Sequence, residues 1–344
     1  MANEKLAVFG AGAIGSMIGA YLTRAGHDIT LIDLWPAHVE TMKQTGLRLT
    51  TEDEDFTVRP KSLHLAELAM FRAQFDTVFL AVKSYDSIWA STCVAPHLAP
   101  TGMLVSAQNS INEDWLAPVI GFTRLLGCIV LPGAGLDGPG HVRRFGSSTE
   151  PSFIVGELHG LVTRRLSKLV DVLSATGPAR STTNLWGERW AKLIANSMAN
   201  GLAGITGLGN AELRAHAEVF PLTLKIAGEA LAVAECVGVQ VEPIGGIPAE
   251  TYRAAAKGEG REALRAMWVE RGRSIGAGRL SLLQDVIKGR RTEVDYLNGY
   301  IVQKGREVAV EAPMNEAIVE LTKRIEGGTL APAPANLELL RAYL

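Results

Sequence analysis

The stretch Lys5-Leu6-Ala7-Val8-Phe9-Gly10-Ala11-Gly12-Ala13-Ile14-Gly15 decides the fold. Lys5 to Phe9 reads as a buried strand, and three glycines follow at once. Ser16 to Ala25 then reads as a helix closed by Gly26. His27 to Ile32 reads as a second strand, with Asp33 at its end. Strand, G-x-G-x-x-G, helix, strand and acid together form the dinucleotide-binding fingerprint in context. Gly10 permits the tight turn, Gly12 lets a pyrophosphate approach the backbone, and Gly15 lets the helix pack on the strand. Ala11, Ala13 and Ile14 complete the loop, and the helix N-terminus faces the phosphates. The competing reading is a glycine-rich turn in an ordinary βα unit. Asp33 would accept hydrogen bonds from ribose hydroxyls and repel a 2′-phosphate. Leu34, Trp35 and Pro36 supply no cation for that phosphate, so NAD is expected over NADP. Asp33 could instead cap the helix starting near Pro36.

Outward from this loop, Gly46 to Thr50 and Phe56 to Val58 read as strands around an acidic turn, and Asp76 to Val82 as a strongly buried strand. Lys83 lies just past that strand's carboxyl end, where ligands of doubly wound sheets bind. Met103 to Ala107 is a further strand, ending in Gln108-Asn109, and Asn109 is a candidate near the reacting centre. Cys128 to Leu131, His141 to Phe145 and Phe153 to Val155 look like strands pairing antiparallel at the sheet edge. Gly160 to Ala175 reads as a helix. The chain is therefore α/β: an N-terminal Rossmann-like, doubly wound domain over residues 1–182, and an all-helical substrate or dimerisation domain over residues 183–344.

In the helical half, Trp190-Ala191-Lys192-Leu193-Ile194-Ala195-Asn196-Ser197-Met198-Ala199-Asn200 places Lys192, Asn196 and Asn200 at i, i+4 and i+8. On a helix that spacing puts one amine and two carboxamides in a row on one face. The row suits an oxygen-rich small ligand, with one group able to give up a proton. A solvated stripe is the plainer alternative. Gly201, Gly204, Gly207 and Gly209 are expected to break the helix, and Asn210 could return to the same site. Phe220 to Val237 reads as a buried helix, and Ala249 to Arg273 as a polar one. Gly289 should end a short helix and Thr292 cap the next. Glu293 would then sit in that helix's first turn, where the dipole favours an anion.

Composition narrows the class. Of 344 residues 47% are hydrophobic, which excludes a disordered chain, and the net charge of −2 gives no footprint for nucleic acid or an anionic membrane. Three scattered cysteines form no disulfide framework, and the scattered histidines give no metal spacing. Met1-Ala2-Asn3-Glu4-Lys5 runs straight into a strand, leaving no room for a signal peptide, and no apolar run reaches a membrane span. A soluble cytoplasmic protein with a small-molecule partner and no metal is expected. The apolar helices of the second half suit a homodimer.

Taken in order, Gly10-x-Gly12-x-x-Gly15, Lys83, Gln108-Asn109, Trp190-x-Lys192-x-x-x-Asn196-x-x-x-Asn200, Asn210, Ser281-x-x-Gln284-Asp285, Gly289-Arg290-x-Thr292-Glu293-x-Asp295 and Ala312-Pro313-Met314-Asn315 resemble the ketopantoate reductase (2-dehydropantoate 2-reductase) family over nearly the whole chain. The resemblance implies that Lys192 is the general acid for the carbonyl oxygen and that Glu293 pairs with it or with the substrate. It implies that Asn196, Asn200, Asn210 and Ser281 hold the substrate. Gly10, Gly12, Gly15, Lys83 and Asn109 would serve the cofactor.

The chain departs from the family pattern at Gly278, where an asparagine is usual, and at Ser110, where a glycine is common. Arg279 beside Gly278 is a candidate carboxylate clamp, and the long segment from Glu242 to Ile275 could reshape the pocket. With Asp33, these departures favour an oxidoreductase of another small keto or hydroxy substrate. The first alternative is an authentic NADPH-dependent 2-dehydropantoate 2-reductase of pantothenate biosynthesis. An alternative of another class is a non-catalytic nicotinamide-nucleotide sensor, which would need neither Lys192 nor Glu293.

Overall fold

The computed structural model describes residues 4–146, 149–275 and 278–344, with side chains for all of these but 273–275. Met1, Ala2 and Asn3, read above as the lead-in to the first strand, lie outside the described residues. The chain divides into two compact units, Met1–Leu185 and Trp186–Leu344.

The first unit carries strands β1 (Lys5–Phe9), β2 (Asp28–Asp33), β3 (Leu47–Thr50), β4 (Asp55–Val58), β5 (Lys61–His64), β6 (Phe75–Leu80), β7 (Leu98–Ser106), β8 (Leu125–Val130), β9 (Gly133–Gly138), β10 (His141–Phe145), β11 (Phe153–Glu157) and β12 (Ala179–Ser181). Its helices are α1 (Ala13–Arg24), α2 (Pro36–Gln44), α3 (Leu65–Leu68), α4 (Ser87–Val94), α5 (Glu113–Ile120) and α6 (Arg164–Ser174). Eight strands form one sheet in the order β12-β11-β8-β7-β6-β1-β2-β5. The run β8-β7-β6-β1-β2-β5 is parallel throughout. From β1 the chain steps out through β2 to β5, then returns past β1 to β6. The order reverses there, and the crevice beyond the carboxyl ends of β1 and β6 is where such sheets bind ligands.

Both faces of the sheet are covered. Leu6 and Val8 enter one core with Met17, Ile18 and Tyr21 of α1 and Leu166, Leu169 and Leu173 of α6. The alternate residue Phe9 meets Trp89 of α4 edge-on, with ring centroids 6.0 Å apart. Period-two alternation puts successive side chains on opposite faces, so a strand buried on both sides reads as a continuous apolar run. A second sheet, β4-β3-β10-β9, packs on α1. That cover explains why Gly15 through Leu22 are all buried: α1 has no solvent face to keep polar.

Two expectations are corrected here, and one strand is added. β8 lies parallel to β7, and only β11 runs antiparallel to it. His141 to Phe145 leaves the main sheet and joins the second one, antiparallel to β9 and parallel to β3. Lys61–His64, unread in the sequence, is the edge strand beside β2.

The second unit is built on α7 (Leu185–Thr206), α8 (Asn210–Ala215), α9 (Val219–Cys236), α10 (Ala249–Ala256), α11 (Arg261–Ile275), α12 (Ser281–Ile287), α13 (Asn298–Glu307) and α14 (Pro313–Glu326). No helix among the described residues is long and apolar enough to cross a membrane. α7 does not break at Gly201 or Gly204. A Cβ on Gly201 would overlap Ile318 and one on Gly204 would overlap Leu282, so both glycines are contact points for neighbouring helices. α14 starts at Ala312-Pro313. Its first N–H groups, on Met314 and Asn315, both donate at 3.1 Å to the buried Glu229 carboxylate of α9. That anion satisfies donors the helix itself cannot. Thr292 precedes a short 3₁₀ turn (Val294–Tyr296) rather than an α-helix, and Glu293 occupies the turn's N-cap position.

Candidate functional site

The glycine loop crosses from β1 into α1 at the switch point. Gly10 has φ +93°, a left-handed conformation, and a Cβ there would lie 2.6 Å from Val82 Cγ1 and 2.9 Å from Val82 N. Gly15 is fixed by packing, because its Cβ would overlap the Gly10 carbonyl oxygen and lie 2.7 Å from Val8 Cγ1. Gly12 differs from both: nothing stands within 4 Å of its Cβ position. It is also the N-cap of α1, with no side-chain cap and no acid in the first turn. The first N–H groups of the helix therefore meet open space that suits an anion. These residues fit a dinucleotide pyrophosphate.

A buried hydrogen-bond chain holds the loop from behind. The Gly140 N–H donates to His38 Nδ1 at 2.9 Å, which leaves the proton on Nε2. Nε2 lies 3.1 Å from Ser16 Oγ, and Ser16 Oγ donates to the Ala11 carbonyl at 2.7 Å. Burial pulls the His38 pKa down, against the opposing field of Asp33 and a hydrogen bond with Ala11, which raise it. A neutral imidazole of one tautomer suits this chain of bonds.

Asp33 ends β2 and accepts the Trp35 N–H at 2.8 Å. It does not cap α2, whose N-cap is Trp35 with Pro36 at the first position. Lys83 is half-buried at the start of the turn that follows β6. Past β7, Gln108 ties the loops together, its Nε2 donating to Val82 O at 2.9 Å and to Ser87 Oγ at 2.8 Å. Asn109 is half-buried, and its carbonyl accepts from Asn112 Nδ2 at 2.7 Å. Ser110, at the position where the resemblance led to an expected glycine, has φ +72°, a backbone that favours glycine. A cavity of ≈ 760 Å³ lined by Lys5, Arg72, Asp76 and His97 lies at the opposite, amino-terminal ends of β1 and β6. That is the wrong end of a parallel sheet for cofactor binding.

In the second unit α7 presents Lys192 and Asn196 partly buried and Asn200 fully buried. The Lys192 pKa is pulled down to about 8, first by burial and then by the positive charge of Arg271. Among the described residues Lys192 has no ion-pair partner, so the expected Lys192–Glu293 pair is not formed here. Glu293 itself is buried and has a polar partner of its own. Asn200 Oδ1 accepts from Ser281 Oγ at 3.1 Å and from the Leu282 N–H at 3.2 Å. The start of α12 is thereby pinned to α7, which brings Ser281 beside the row and leaves the Asn200 NH₂ as its donor. Asn210 Oδ1 accepts from Arg214 Nε at 3.0 Å. Arg279 is exposed, and its carbonyl accepts from Gln284 Nε2. Its guanidinium makes no ion pair among the described residues. Sequence reading missed Arg214, Tyr252, Trp268 and Arg271. These residues come from three separate helices, and no local spacing announces them.

Residues 6–158 match the family described as Ketopantoate reductase PanE/ApbA, and residues 184–326 match its C-terminal domain. The chain is 30% identical to 2-dehydropantoate 2-reductase of Pyrococcus abyssi over 93% of its own length and 97% of that protein's. It is 28% identical to the Archaeoglobus fulgidus enzyme of the same name, over 95% and 100%. Among solved structures it is similar to a PanE/ApbA family ketopantoate reductase from Ralstonia eutropha, with 29% identity, TM-score 0.78, and coverage of 94% and 99%. It is also similar to D-mandelate dehydrogenase with NADH and anilino(oxo)acetate, with 25% identity, TM-score 0.81 and the same coverage. With a glycine loop open at Gly12 and both family domains matched in order, the chain belongs to the ketopantoate reductase family of NAD(P)-dependent oxidoreductases.

Proposed function

We propose that this enzyme interconverts a small 2-keto acid and its 2-hydroxy acid, with NAD as the preferred cofactor and Lys192 as general acid and base. One observation carries the reading: Lys192 is partly buried, has no carboxylate partner among the described residues, and has a pKa lowered to about 8. An amine in that state holds a proton at neutral pH and releases it readily. A bound nicotinamide would supply the hydride chemistry. Lys192 Nζ would donate its proton to the carbonyl oxygen as negative charge develops there, an effect of roughly 10²–10⁴-fold. In the oxidative direction the neutral amine would take the hydroxyl proton. Asn196, the Asn200 NH₂ and Ser281 would orient the substrate. Glu293, the second catalytic candidate, would carry the negative charge of the site.

Asp33 at the end of β2, with no cation at 34–36, supports NAD, and a structural neighbour is seen with NADH. Lys83 and Asn109, at the carboxyl ends of β6 and β7, are the further cofactor contacts in this proposal. The same proposal has the enzyme working in the cytoplasm as a homodimer; a monomer by sedimentation at working concentration would reject the dimer. A second reading, NADPH-dependent reduction of 2-dehydropantoate, is favoured by the names of the relatives.

The deciding experiment is a steady-state assay of 2-dehydropantoate and a panel of 2-keto acids with NADH and NADPH, with Lys192→Ala as control. NADH-linked turnover of a 2-keto acid other than 2-dehydropantoate, lost in the control, supports the first reading. Efficient NADPH-linked turnover of 2-dehydropantoate establishes the second. Cofactor binding without turnover of any substrate would point to a sensor.

A further inference from the structure

Among the described residues, three side-chain donors in the second unit are buried and unpartnered around one guanidinium. They are Asn210 Nδ2, Arg214 Nη1 and Trp268 Nε1, on residues 1%, 7% and 4% exposed. Arg214 links them. Its Nε donates to Asn210 Oδ1 at 3.0 Å, and its Cζ lies 3.7 Å from the centroid of the Trp268 ring. α8 and α11 pack closely, and the absence of a side chain at Gly272 permits the approach: a Cβ there would stand 2.8 Å from Arg214 Cδ. All three idle groups are N–H donors, so nothing they lack could be supplied by another donor.

Arg214 has no carboxylate partner among the described residues. Burial, and then the charge of Arg271, pull its pKa down to about 10. The charge of Arg271 acts on Lys192 in the same direction. The hydroxyl of Tyr252, whose pKa burial raises, stays protonated near neutrality and adds no negative charge. A buried guanidinium stacked on an indole but left without an anion is a standing cost, and each idle buried donor adds to it. One oxyanion would relieve all of them together.

We propose that Asn210, Arg214 and Trp268 form a carboxylate-recognising subsite, in which Arg214 supplies the charge and the Asn210 amide and Trp268 indole N–H groups fix the oxygens. Its identification with the substrate's carboxylate rests on the function proposed above; binding of the anion does not. The subsite lies on other residues than Arg279, the clamp expected from the sequence. It also gives the segment 242–275 a function, because that segment delivers Trp268 and Arg271. The donor atoms are covered in this structure, so entry of a ligand requires α11 to shift off α8.

The test uses oxamate, a small carboxylate, against its neutral diamide oxamide, titrated into the full-length protein with NADH bound. Binding is read by calorimetry, which needs no turnover. Wild type should bind oxamate and prefer it to oxamide by at least tenfold. The loss of charged hydrogen bonds sets the expected effects. Arg214→Met should weaken oxamate roughly tenfold or more, and Trp268→Phe, which keeps the ring and removes one donor, several-fold. Oxamide and NADH affinities should stay unchanged in both variants. Trp268→Phe keeps the proposal testable if Arg214→Met does not fold. Oxamate binding that is absent, no tighter than that of oxamide, or indifferent to both substitutions overturns the subsite. Failure of the redox proposal would appear separately, as lack of turnover with oxamate binding intact.

Discussion

Lys192→Met should make the protein more stable while removing its activity. The lysine is charged at neutral pH in a setting that disfavours charge. Its pKa falls from 10.5 to about 8, and at about 1.36 kcal/mol per pH unit this amounts to about 3 kcal/mol. Partial contact with solvent reduces the figure to roughly 2 kcal/mol. The sign follows from proton binding. Between pH 8 and 10.5 the unfolded chain keeps the Lys192 proton and the folded one has released it, so stability rises with pH across that window. Below pH 8 the penalty is present in full. Methionine keeps the length and apolar stem of the side chain and has no charge to desolvate. In urea, where a unit of this size loses about 2–3 kcal/mol per molar, the unfolding midpoint at pH 7 should rise by roughly 1 M. The gain should vanish by pH 10.5, while turnover falls roughly 10²–10⁴-fold. A variant that is less stable at pH 7, or equally stabilised at pH 7 and 10.5, would refute the reasoning. Stability given up at an active site is a common pattern.

Other outcomes follow from the same geometry. Gly12→Ala should fold normally and lose NADH affinity, because its Cβ meets only open space; Gly15→Ala should lower the melting temperature, because its Cβ meets the Gly10 carbonyl. Fluorescence titration and thermal unfolding separate the two. His38 has its pKa lowered by burial, so its contribution to stability is complete above about pH 6.5 and is lost as pH falls below that value. His38→Gln should flatten the stability profile below pH 6.5, as followed by urea unfolding. Glu229→Gln should cost about 2 kcal/mol in the same assay, since one buried carboxylate takes the Met314 and Asn315 N–H groups and the Asn315 amide.

What was legible in the sequence was what local chemistry decides. The glycine loop, β1, α1, β2 and the Lys192 row needed only spacing and residue type. Strand partners were not legible: His141 to Phe145 has strand character, but its residues do not say that β3 and β9, rather than β8, lie beside it. Gly201 and Gly204 looked like helix breakers because their propensity is poor; Ile318 and Leu282, more than 75 residues away in sequence, make them contacts instead. Ser110 was seen as a departure, but only the backbone shows that the position is left-handed. Arg214 and Trp268 lie in different helices, and only the packing of α8 on α11 brings them together.

The most direct test of the central claim is the pH dependence of kcat in both directions with the best 2-keto and 2-hydroxy acid pair. Lys192 as acid and base requires reduction to fall and oxidation to rise as pH passes about 8. Rates in both directions that stay flat through pH 8, or that move together, would contradict it.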